Sequence, residues 1–146
     1  MLQLTVATEA DADCIASIHL AAFDSNPLLH AQFPTPSSLE VLHAALSQDV
    51  LNTIRNREGC GTIVLVVRDT EADGQIISFA KWDLPGKPKD IVHSDITWPE
   101  DCRQEYLDEY HEKAGSAKNR IIGNKPCYRK NCISLCFHSI FFCYCS

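Results

Sequence analysis

The sequence predicts an α/β protein on a mixed sheet (α+β), and three observations lead there. Short apolar, β-branched runs at Leu2–Val6, Thr62–Val67 and Gln75–Trp82 alternate with longer segments whose apolar residues recur at three- and four-residue steps. Those longer segments carry helix start and stop chemistry at their ends. With 146 residues, 45% hydrophobic and 22% charged, the composition is ordinary for one globular core. The expected order is strand, helix, helix, strand, strand, helix and then a short irregular strand.

Leu2-Gln3-Leu4-Thr5-Val6 alternates apolar and polar residues, a first strand. Thr8 and Asp11 have capping-box spacing and open a helix, with Ile15, Ile18, Ala22 and Phe23 as its stripe and Ala16 and Leu20 beside it. Asp24-Ser25-Asn26-Pro27 ends it, and Leu28–Phe33 has room for one helical turn before Pro34 and Pro36. Ser37 and Glu40, again in capping-box spacing, open a longer helix with the stripe Leu39, Leu42, Leu46, Val50 and Ile54, ending near Arg57-Glu58-Gly59. Thr62–Val67 is β-branched and apolar throughout, which predicts a strand buried on both faces. Asp69–Gly74 is a polar turn, Gln75–Trp82 completes a hairpin, and Asp83–Thr97, with Pro85, Gly86 and Pro88, is a loop.

Trp98-Pro99-Glu100-Asp101 reads as a helix start, because proline at the first position gives up no needed N–H and the acids suit the positive end of the dipole. Tyr106, Leu107, Tyr110, Ala114, Ala117 and Ile121 then mark one face. Glu109 and Lys113 form an i,i+4 pair on the other, and Gly123 and Pro126 stop the helix. Beyond Tyr128 the composition changes abruptly. Residues 129–146 hold four of the eight cysteines, many aromatic residues and no acid. An irregular strand over Cys132–Phe137 could cover the third strand's edge. Ile133–Tyr144, uncharged and without proline, has the composition of an aggregation-prone run.

Charge and termini exclude several classes. A net charge of −6 with no basic cluster argues against nucleic acid. Met1–Leu4 has no basic n-region and acids follow at Glu9, Asp11 and Asp13, so no leader is expected and a cytoplasmic, reducing location is. The apolar run of the tail is shorter than the ~20 residues a spanning helix needs, so no membrane partner is expected. Cys132-x3-Cys136-x-His138 and Cys143-x-Cys145 have poor spacing for structural zinc, and no metal is assigned. No G-x-S-x-G elbow accompanies the scattered His30, His43, His93 and His111, and His19 reads as a surface or half-buried helix residue.

The segments IHLAAFDSNPLLHAQFP (Ile18–Pro34), ISFAKW (Ile77–Trp82) and WPEDCRQEYLDEYHEKA…RIIGNKPCY (Trp98–Tyr128), in this order, resemble the amino half of the GNAT family of acyl-CoA-dependent N-acyltransferases, in particular its fungal members. The resemblance implies an N-acetyltransferase-family fold, with acetyl-CoA as acyl donor and a small-molecule or peptide amine as acceptor. It implies a division into residues 1–128, the amino half of the domain, and 129–146, an atypical tail. In the family a bulged strand follows the helix and presents backbone groups to the thioester. A Q/R-x-x-G-x-G/A loop then holds the pyrophosphate on N–H groups at a helix N-terminus. Neither that strand nor that loop, nor the general acid and strands that come later in the family, is expected in this sequence; Gly59-Cys60-Gly61, the nearest approach to the loop, precedes a strand. The expectation is therefore a domain truncated before its coenzyme loop, without catalytic or cofactor residues of its own, inactive and with no tight hold on acetyl-CoA. Arg129-Lys130 can be written CGT-AAG, which contains a splice-donor sequence, so a translated intron is one account of the tail.

The resemblance places the loop bearing Phe23, Asn26, Leu29 and Phe33 on the acceptor side of the cleft; the same aromatic residues could equally plug one end of the core. Trp82 carries the same two readings. The alternative function is a non-enzymatic interaction module that self-associates through an exposed sheet edge.

Overall fold

The computed structural model describes residues 1–84, 97–121 and 129–135. Four strands, β1 (Leu2–Val6), β2 (Thr62–Asp69), β3 (Gln75–Asp83) and β4 (Arg129–Leu135), form a sheet in the order β1-β2-β3-β4, antiparallel at every described pair. The helices are α1 (Ala12–Phe23), α2 (Pro27–Gln32), α3 (Pro36–Arg55), the single turn α4 (Arg57–Cys60) and α5 (Gln104–Ile121). The predicted α/β class and element order are those of the chain, with the last strand now placed beside β3.

α1 and α3 pack against each other and lie on one face of the sheet. Ile15 and Ile18 of α1 and Val50 of α3 meet Val64, Val66, Ile76 and Phe79 there, with Leu51 and Ile54 at the margin. Val66 is fully enclosed and Ile15 nearly so. Burying such side chains is worth about 2 kcal/mol each, which is what holds the two helices to the sheet. A buried polar tie joins the first turn to the sheet. Asp11 Oδ2 accepts from Thr8 N (2.7 Å), Thr8 Oγ1 (2.9 Å) and Arg68 Nη2 (2.7 Å), and Arg68 Nε donates to Thr5 Oγ1. The Thr8–Asp11 capping box is therefore real, but it closes a 3-10 turn over Glu9–Asp11 before α1.

Several expectations are corrected. α3 starts at Pro36, capped by Thr35, whose Oγ1 accepts from Ser38 N; the Ser37–Glu40 box lies one step inside the helix. Thr35 wins because it holds extended backbone geometry before Pro36, which is set for the first helical position. α5 begins at Gln104 instead of Pro99. Residues 98–103 form a turn tied down by Cys102 N to Pro99 O and by Arg103 N to Gln32 O, while Asp101 accepts from Thr35 Oγ1. These contacts with the ends of α2 and α3 outcompete a further helical turn. Ile121, expected on the buried face of α5, is 73% exposed. The predicted Glu109–Lys113 pair is present; the side chains of Leu107, Tyr110 and Ala114, and the Gly123 cap, lie outside the described residues.

β2 alternates strictly instead of burying both faces: Thr62, Val64 and Val66 are buried under the helices, whereas Ile63, Leu65 and Val67 are half-buried on the opposite face. β1 adds to that opposite face, because Leu4 and Val6 pair with Val67 and Leu65. Its apolar residues thus point away from the helices, and Leu2, Leu4 and Val6 are 59%, 65% and 40% exposed. The edge of β3, expected to be open or loosely covered from Cys132, is taken by β4 from Arg129 onward. Most of Ile133–Tyr144 lies outside the described residues.

Candidate functional site

A cavity of about 220 Å³ opens between α1, α3 and β3. Helical spacing brings Ile15, Ala16 and His19 of α1 to it, and the stripe of α3 supplies Leu46 and Val50. Phe79 and Lys81, two apart on β3, point to the same face of the sheet and form its floor. Most of the wall is apolar. The polar equipment is His19 and an ion pair, Lys81 Nζ to Asp49 Oδ2 at 2.6 Å. Lys81 is largely enclosed, its side chain 18% exposed, while Asp49 reaches solvent at 56%.

His19 is stacked on Phe23 with ring centroids 5.0 Å apart and faces Phe79 at 6.1 Å. Burial pushes its imidazole below the usual histidine range, with Lys81 adding to the shift and Asp49 opposing it. The ring is therefore neutral at neutral pH, a base and a hydrogen-bonding group on an apolar wall. Among the described residues no group of three or more His, Cys, Asp and Glu side chains is gathered to hold a metal.

The sequence-derived candidates separate. Phe23 stands beside the cavity through its stack on His19. Asn26 caps α2, accepting from Leu28 N at 3.0 Å, and Leu29 is half-buried in that helix. Phe33, 2% exposed, packs on Trp98 at 5.5 Å, so it anchors the turn before α5. Trp82 pairs with Ile63 on the face of the sheet away from α1 and α3. Asp49 and Lys81 were not singled out from the sequence. A periodic stripe marks apolar residues only, and no local pattern relates two charges 32 positions apart.

A second polar cluster joins the same helices. His43 Nε2 lies 2.9 Å from Ser17 Oγ, and its Nδ1 lies 3.8 Å from Asp13 Oδ1. The residue types are those of a hydrolytic triad, but Ser17 Oγ also reaches the carbonyl of Asp13 at 3.1 Å, to which it can only donate. A nucleophilic serine needs its proton directed to the histidine, together with N–H groups for the oxyanion, and those around Ser17 belong to the α1 ladder. The cluster ties α1 to α3.

The register of β3 and β4 carries a further feature. Lys81 pairs with Cys132 and Trp82 with Lys130, so β4 has one residue more, Asn131, across that step. This is a β-bulge, which takes backbone groups out of the ladder.

No protein-family model matches the chain, and no curated protein does. Among solved structures, it is similar to a histone acetyltransferase HPA2 and related acetyltransferase from Corynebacterium glutamicum, with 21% identity, a TM-score of 0.42, and coverage of 81% of this chain and 71% of that one. A predicted acetyltransferase from Clostridium acetobutylicum, crystallised with acetyl-CoA, is 13% identical with a TM-score of 0.41, covering 81% and 76%. A ribosomal-protein-S5-alanine acetyltransferase from Vibrio fischeri is 14% identical with a TM-score of 0.36, covering 81% and 66%. All three carry the word acetyltransferase in their descriptions.

Proposed function

We propose that the chain carries the amino half of a GNAT N-acyltransferase domain, residues 1–128, followed by the atypical segment 129–146 that supplies β4. The supporting observation is the bulge at Asn131, on the strand that follows α5, where the family resemblance expects a bulged strand facing the acyl thioester. Freed N–H groups on such a strand stabilise the oxyanion formed when an amine attacks the thioester carbonyl. The amine nitrogen then bonds to the acyl carbon, the C–S bond breaks, the thiolate leaves and the nitrogen gives up a proton. The acceptor is a small-molecule or peptide amine.

Tight coenzyme binding needs a second feature. No Q/R-x-x-G-x-G/A occurs in the 146 residues, so they offer no row of N–H groups at a helix N-terminus for the pyrophosphate. In this reading they hold acetyl-CoA weakly and do not turn over. Titrating acetyl-CoA and acetyl-pantetheine into the ¹⁵N-labelled chain tests both halves. The expected result is a dissociation constant near the millimolar range for each, with amide shifts centred on Arg129–Ile133. Micromolar acetyl-CoA binding would overturn the weak-binding half. Unmoved β4 amides at about 10 mM acetyl-pantetheine would overturn the acyl-transfer half.

A specific observation also favours self-association. β1 is an edge of the described sheet, carries no charge and no proline, and exposes Leu2 and Leu4. Such an edge is a template for a second strand. Sedimentation should show concentration-dependent association that Leu4→Lys abolishes; a monomer at every concentration would sink this reading.

A further inference from the structure

We propose that the cavity between α1, α3 and β3 binds a free α-amino acid with an apolar side chain, its carboxylate on Lys81 and its ammonium on Asp49. The assignment goes beyond the acyl-transfer reading and stands whether or not an acyl group is moved.

The argument starts from the ion pair. Lys81 Nζ has three N–H groups, and its partner among the described residues is a single oxygen, Asp49 Oδ2. Asp49 has its second carboxylate oxygen, Oδ1, turned to no described donor. The pair therefore offers donors and an acceptor side by side in the lining of a mostly apolar cavity. Its net charge is zero, and the buried imidazole of His19 adds none at neutral pH. A bare amine placed there would meet the Lys81 ammonium, and a bare acid would meet the Asp49 carboxylate. A zwitterion meets both opposite charges at once, head to tail, and closes a four-charge ring without leaving a like pair in contact.

The cavity sets the side chain. A cavity of about 150 Å³ lined by apolar groups accepts benzene, so 220 Å³ has room for a branched aliphatic or a benzyl group. Ile15, Leu46, Val50 and Phe79 supply the apolar contact, and the His19 ring, stacked on Phe23, adds an aromatic wall. Glycine would take the ion pair but leave the cavity empty, so both halves of the ligand are required.

Calorimetric titration of the unmodified chain tests this without coenzyme. L-Leucine and L-phenylalanine are expected to bind. The leucine analogues lacking one charge, 3-methylbutylamine and 4-methylpentanoate, and also glycine, are expected to bind at least tenfold more weakly. Lys81→Met and Asp49→Asn should each lower leucine affinity at least tenfold, and Leu46→Trp, which fills the cavity from its rim, should abolish it. Equal binding of either single-charge analogue, unchanged binding by Leu46→Trp, or no heat from leucine at about 10 mM would each overturn the assignment. The ligand series is read on the unmodified chain, so a variant that fails to fold does not spare the proposal.

Discussion

Replacing Asp11 by alanine removes the acceptor of three hydrogen bonds and the counter-charge of Arg68 in one step. Asp11 is 7% exposed and the Arg68 side chain 25% exposed, so the pair is largely enclosed and the guanidinium would be left without a counter-charge, holding only Thr5 Oγ1. Truncating one member of a buried pair costs about 3–5 kcal/mol, and the partial exposure of Arg68 puts the expectation at the lower end, about 3 kcal/mol. With a urea slope of about 1.5 kcal/mol/M, the unfolding midpoint followed by circular dichroism should fall by about 2 M. Most of that loss is the orphaned charge rather than the net worth of the pair. The double variant Asp11→Ala/Arg68→Met should therefore be less destabilised than the sum of the single changes by at least about 1 kcal/mol. The carboxyl also sets an acid limit. Burial would raise its pKa, but the Arg68 hydrogen bond and the Thr8 donors outweigh this and hold it below the ordinary 3.8. A depressed folded pKa means that the unfolded chain binds the proton more readily. The contribution is thus complete above 3.8 and fades as pH falls through the folded value. An Asp11→Ala loss below about 1 kcal/mol, or strictly additive singles, would refute the reasoning.

Three further predictions follow from other parts of the fold. Gly74, at φ 74° in the β2–β3 turn, has open space where a Cβ would go, so Gly74→Ala should cost about 1–2 kcal/mol from backbone conformation alone, read from urea unfolding. Thr35→Ala removes the α3 cap and the tie to Asp101 and should cost about 1 kcal/mol, with Thr35→Ser recovering most of it. His19 has its folded pKa depressed below 6.5 by burial, so its contribution is complete above 6.5 and is lost as pH falls toward the folded value. Thermal midpoints compared at two pH values on either side of 6.5 should drop on acidification, and His19→Phe should remove the part of that drop due to this residue. An imidazole that titrates at or above 6.5 by NMR would contradict the burial argument.

The sequence by itself determined the elements and their order. Period-two and period-3.6 patterns are properties of a single segment, so β1, β2, β3, α1 and α3 could be read directly from Leu2–Val6, Thr62–Val67, Gln75–Trp82 and the two helical stripes. It also determined which local pairs could form, as Thr8–Asp11 and Glu109–Lys113 did. Tertiary structure decided what competes with those local preferences. The first turn predicted at Pro99 yielded to contacts with Gln32 and Thr35, which no window around residue 99 contains. The face that β1 turns to the helices was decided by its register on β2, where Thr5 faces Val66 beside Arg68, so the strand's apolar residues look outward. The candidate site was legible only in fragments. His19 and Phe23 share one helix and its spacing, but Asp49 and Lys81 meet because α3 packs on the sheet beside α1, an event written in packing and not in neighbouring letters. Short-range sterics fix a helix or a strand within a few residues, whereas an ion pair between distant segments exists only once the core has set their distance.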